Sequence, residues 1–104
     1  MIQMDERRIE VRNFLLRDDI SPEKHFWARD GTIIRNLSEL EPAIDSMDDE
    51  TFSFHVNEEK NDFSSWVRDV IGDSELAEQL SATRDKTRTQ LLVLRRILSL
   101  LKQK

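Results

Sequence analysis

Cysteine is absent from the 104-residue sequence. That removes disulfide staples and thiolate zinc sites, and it fits a reducing compartment. Glycine and proline number two each, too few for a barrel or sandwich with a turn every few residues. No Gly-x-Gly pair exists, so neither a phosphate-binding loop nor a dinucleotide fingerprint can form. No run approaches the ~20 apolar residues of a membrane span. The first eight residues lead into no secretory apolar core and no small-residue cleavage site, so cytoplasmic is the expected location. A basic excess is lacking too. The net charge is −5 and 36% of residues are charged, a balance that suits solvated helical surface and argues against nucleic acid, whose partners present a basic face.

What is present is one domain's length of chain, residues 1–104, able to bury roughly two-thirds of its unfolded surface. Residues 5–17 fit either a helical face through Ile9 and Leu16 or a strand through Ile9, Val11 and Leu15; helix is the reading taken. Residues 18–24 form a loop, since Pro22 disfavours the helical region at Ser21. Residues 26–35 carry the one hairpin signal. Asp30-Gly31 can supply both positive-φ positions of a two-residue turn, which would set Trp27 opposite Ile34 and turn both inward. Ser38 and Glu41 match a capping box, followed by a short helix to about Met47 that buries Leu40, Ala43 and Ile44. Asp48 or Asp49 caps another helix through about Val56, although Phe52, Phe54 and Val56 also alternate like a strand. From Asn61 the pattern is firm: Phe63, Trp66, Val67, Val70 and Ile71 form one apolar stripe. Asn61 or Asp62 is the N-cap, Gly72 the left-handed stop, and Asp73 the cap of a helix carrying Leu76, Ala77 and Leu80. A last amphipathic helix runs from about residue 83 to 102. The expected fold is mainly α, a bundle-like set of five or six helices with one short hairpin at about 26–35.

The last helix holds more apolar surface than one facing helix can cover. Leu91, Leu92, Leu94, Leu98 and Leu101 are the expected interface residues, with a second copy or another protein as the partner. Arg84, Lys86, Arg88, Arg95 and Arg96 give the same helix a basic side; without interleaved aromatics for base stacking, it reads as a charge-balancing or self-docking face. The other candidate is a polar site of His55, Asn57, Glu58, Glu59, Asp62 and Arg68. His55 and Glu59 lie one helical turn apart and could point at one ion. Three protein ligands are usual for a catalytic metal, and His25 lies far off in a loop; no metal and no cofactor is expected. Arg68 could reach Asp73. The three acids beside Lys60 read as a solvated helix start matched to the helix dipole, and no catalytic residue is assigned.

The stretch Phe54-His-Val-Asn-Glu-Glu-Lys-Asn-Asp-Phe-x-x-Trp-Val-Arg-Asp-Val-Ile-Gly-Asp-x-Glu-Leu-Ala77 resembles a family of small, uncharacterised, mainly archaeal proteins. Weaker flanks at residues 22–24 and 26–31, at Leu37 and Leu40, and at 47–52 extend the likeness over about 22–80. A wider group shares only His55, Asp62, Phe63 and Trp66. The resemblance implies a domain unit with a histidine-to-tryptophan core and an archaeal source, and it brings no activity across. The two functions carried forward are a non-enzymatic helical interaction or regulatory module, self-associating through the last helix, and a small-molecule or metal site around His55, Glu59, Asp62 and Arg68.

Overall fold

A computed structural model describes residues 13–102 of the chain. Of the N-terminal segment read as helix over 5–17, residues 13–15 are helical and Leu15 is buried, while 5–12 lie outside the described residues. A 3-10 turn, Pro22–Lys24, leads into a two-stranded antiparallel ribbon, β1 (Phe26–Trp27) and β2 (Ile33–Ile34). Five helical segments follow: α1 (Leu37–Ser46), α2 (Asp49–His55), α3 (Asp62–Trp66) continuing as a π turn over Val67–Ile71, α4 (Ser74–Ser81) and α5 (Lys86–Lys102). The fold is mainly helical with one small hairpin. α5 lies against α1 and α4, and α3 lies against α4.

The hairpin register differs from the expectation by one residue. Within the hairpin only Gly31 takes a positive φ, 95°, so Asp30 does not join it in a two-residue turn. Gly31 N–H instead closes on the Ala28 carbonyl at 2.9 Å, and Ala28 N–H on the Thr32 carbonyl at 2.8 Å, leaving three residues in the loop. Phe26 therefore pairs with Ile34 and Trp27 with Ile33. Because side chains alternate faces, a one-residue slip exchanges the buried set. Phe26 and Ile34 point inward, while Trp27 stays 60% exposed and donates its indole N–H to the Pro22 carbonyl.

The buried Phe26 ring completes an aromatic cluster. It stacks on Phe63 at 4.8 Å and meets Trp66 and His55 edge-on. Phe52 closes the far side of Phe63. Helix formation at 49–55 places Phe52 in this core and leaves Phe54 at the surface, which an alternating strand would not have done.

Three helix starts fall where capping chemistry puts them. Asp48 accepts from Thr51 N–H, Asn61 from Ser64 N–H and Asp73 from Leu76 N–H. The π turn ends at Gly72, φ 85°, whose N–H reaches the Val67 carbonyl. Two starts are corrected. α1 begins before Ser38, because Asn36 caps it by accepting from Glu39 N–H while Ser38 Oγ donates to Asn36. Glu41 is released from the capping box, and Pro42 sits inside the helix. α5 begins at Lys86, with Asp85 accepting from Arg88 N–H.

Two carboxylates tie this framework to pH. The Thr51 backbone N–H holds Asp48 below the usual carboxylate value, and the Arg35 guanidinium does the same for Glu39. A depressed folded-state pKa contributes stability above the unfolded value and loses it as pH falls. Melting temperature is expected to hold level above about pH 5 and to fall below about pH 4. Asn also caps helices, so Asp48→Asn should give a shallower acid slope in melts followed by circular dichroism; an unchanged slope would contradict the assignment to Asp48.

Candidate functional site

His55 ends α2 and is 4% exposed. Its Nε2 accepts from Arg29 N–H at 3.0 Å. A backbone amide can only donate, so Nε2 carries no proton and the neutral ring donates from Nδ1 to Asp62 at 2.9 Å. Lys60 Nζ donates to the same Asp62 oxygen at 2.8 Å. Both imidazole nitrogens are thus engaged within the chain, and a metal ion would need one of their lone pairs. Phe54 covers the edge of this knot, packed against His55 and flanked by the Arg29 and Lys60 cations, each 4.5 Å from its ring centre.

The other residues of the expected polar site do not converge on His55. Asn57 Nδ2 donates to the Ser53 and Phe54 carbonyls, and its Oδ1 accepts from Glu59 N–H. With Asn57 N–H on the Lys60 carbonyl, residues 57–60 form a closed turn whose Glu58 and Glu59 side chains stand in solvent. Arg68 is exposed and, among the described residues, reaches only Ser64 Oγ, at 3.4 Å. It does not meet Asp73, which Arg96 holds instead. Among the described residues no group of three or more His, Asp or Glu side chains could hold a metal ion. What the arrangement does is join three pieces of chain: the hairpin turn, the end of α2 and the start of α3.

α5 gathers a second set of features. Its inner face buries Thr89, Leu92 and Val93, with Ile97 and Leu100 packed at the margin of the core. Leu92, expected at the interface, is 8% exposed and belongs to this inner face. A single helix has room for two stripes when they lie on opposite sides, and Leu92 falls on the inward one. The outer face shows Leu91, Leu94, Leu98 and Leu101, 37%, 42%, 53% and 55% exposed.

Arg96 stands on the inner side, where a charge requires a partner. Its Nε donates to Asp73 at 2.7 Å and its Nη1 to Glu75 at 2.9 Å. The hydrogen bond to Asp73 raises the guanidinium above its already high ordinary pKa. Asp73 thereby caps α4 and binds it to α5 with one carboxylate. Beside this pair, a groove of about 500 Å³ opens between α4 and α5, lined by Gln79, Thr83, Arg88, Leu92, Arg95 and Ser99 among others. Sequence reasoning named the arginines without separating them. The usable signal was position: Arg96 lies in line with Val93 and Leu100, and Arg88 and Arg95 do not.

The model of a family of unknown function (DUF5752) matches residues 52–104. The match takes in the His55-to-Trp66 stretch and also α5, which the resemblance read from the sequence had left out. No curated protein and no solved structure matches the chain.

Proposed function

The chain belongs to this family, whose function is unknown, and on that premise we propose that it is a non-enzymatic helical interaction module working through the outer face of α5. One observation carries the reading. Leu91, Leu94, Leu98 and Leu101 recur at steps of three, four and three and stay exposed, while the opposite side of the same helix is already packed. That spacing is the narrow seam of one helix lying along another. Scattered exposed leucines need no explanation, but a continuous stripe marks a contact surface. The helix is also held in place from behind by the Arg96 pair and the α1 and α4 contacts, so docking need not order it.

Between two copies, burial of the four half-exposed leucines of each is worth on the order of 8 kcal/mol, of which association costs leave about half. The stripe alone therefore makes a weak contact. Self-association should show at about millimolar concentration. Light scattering over a concentration series is expected to find mass rising above that of the monomer near this range. Leu94→Glu and Leu98→Glu should hold the chain at monomer mass with melting temperature nearly unchanged, since neither side chain is in the core. A wild-type chain that stays monomeric throughout would overturn self-association. An archaeal source and a cytoplasmic location, both expected from the sequence, belong to the same proposal. The small-molecule or metal reading around His55 gains nothing from the placement of those side chains.

A further inference from the structure

The flanks of the leucine stripe are unequal, and this names a partner for the surface proposed above. With Leu91 and Leu98 in one row and Leu94 and Leu101 in the next, Arg88, Arg95 and Lys102 recur every seventh residue along one edge of the seam. The other edge holds Gln90 and Ile97. Arg88, Arg95 and Lys102 are all exposed, and among the described residues none of the three joins an ion pair. The three cations stand together along one edge in a chain of net charge −5, whose acids pair Arg17, Arg35, Lys60 and Arg96 elsewhere. Gln90 on the opposite edge is engaged at home, donating to Glu41 and Asp45 of α1.

We infer that the outer face of α5 receives an amphipathic helix from another protein, one with an apolar stripe bordered on one side by a row of acidic residues. The inference rests on the reading of α5 as a contact surface and adds the chemistry of the occupant. Edge charges of opposite sign across a helix pair set partner choice and orientation. An antiparallel second copy would place the basic row against itself, Arg88 near Lys102 and Arg95 near Arg95, where like charges oppose docking. A parallel second copy would set the row against Gln90 and Ile97 and leave it unused. An acidic row uses all three cations. It also finds a recess behind them, because the groove between α4 and α5 offers the Thr83 and Ser99 hydroxyls with Leu92 beneath.

The test uses the full chain at concentrations where it is monomeric and three labelled synthetic helices with the same leucine stripe. The helices carry Glu, Gln or Lys at the positions that would face the basic row. Fluorescence anisotropy is expected to show the Glu helix binding about tenfold tighter than the Gln helix, the amount three exposed ion pairs supply between them. The difference should shrink as salt rises. Arg95→Glu with Arg88→Glu, both at exposed positions, should reverse the order so that the Lys helix binds best. Equal binding of Glu and Gln helices would overturn the acidic-partner inference and leave the contact surface standing. Failure of every helix to bind, together with a wild-type chain that is monomeric at all concentrations, would remove both. A Glu helix whose leucines are changed to serine should not bind. If it binds equally well, or if an RNA oligonucleotide displaces the Glu helix, the site answers to negative charge alone and the inference falls.

Discussion

Replacing Arg96 with methionine is expected to lower the unfolding free energy by about 3–5 kcal/mol, the cost of breaking a buried ion pair from one side. A domain of this size has about 5–15 kcal/mol in total, so the variant should be visibly fragile in urea. The reason lies with the partner left behind. The Asp73 side chain is 3% exposed, and without the guanidinium its charge has, among the described residues, only the Leu76 N–H at the head of α4. Methionine retains most of the stem that packs on the inner face of α5, so lost volume is a small part of the effect. Asp73→Asn offers a second variant that separates the causes. Asparagine still caps a helix but brings no charge, so Arg96→Met combined with Asp73→Asn should be more stable than Arg96→Met alone. Urea denaturation of the three variants decides the matter; a double variant as weak as the single one would mean that the buried charge is not the source of the loss.

His55→Leu is expected to cost about 2–4 kcal/mol. Leucine keeps an apolar contact with Phe26 and Phe63 but accepts no hydrogen bond, and the Arg29 amide loses its partner. Asp62 loses a donor at the same time, leaving Lys60 to hold it. The hydrogen bond from Arg29 joins residues 26 positions apart, so its loss should loosen the hairpin turn in particular. Hydrogen exchange at the Arg29 amide should speed up more than exchange in α5. A stability loss below about 0.5 kcal/mol, the range of ordinary surface substitutions, would mean that the histidine does not hold these segments together.

Much of the helical framework was legible because it is written in neighbouring residues. Asp48, Asn61 and Asp73 as caps, Gly72 as a stop, and the Phe63-to-Ile71 stripe each depend on spacings of a few positions. Errors arose where two local solutions compete. Asn36 and Ser38 are both good N-caps, and the choice between them rests on backbone geometry that no side-chain pattern reports. Asp-Gly in the hairpin suits more than one loop, and a difference of one residue moved Trp27 out and Phe26 in. The hydrogen bonds within the candidate polar site were hidden for a different reason. His55 takes its second hydrogen bond from Arg29, a residue with no periodic relation to it, so its nitrogens looked available. On α5 the excess of apolar residues was plain, yet Leu92 sits at the border of the two faces. Only the neighbouring helices decide on which side it falls.

The indole of Trp66 donates to the Lys24 carbonyl across 42 positions of chain at 2.9 Å, and two residues further on Phe26 lays its ring on Phe63. The stretch matched by the family, residues 52–104, therefore holds only part of the core, which Phe26, Ile34, Leu37, Leu40 and Ile44 complete from outside it. Cut at residue 52, it would present Phe63 and Trp66 to water on the side where Phe26 now lies, with the Trp66 N–H left to water in place of the Lys24 carbonyl. The hairpin acts as a plug, donated by the earlier half of the chain to the later half. A fragment meant to fold as this protein does has to begin before Lys24.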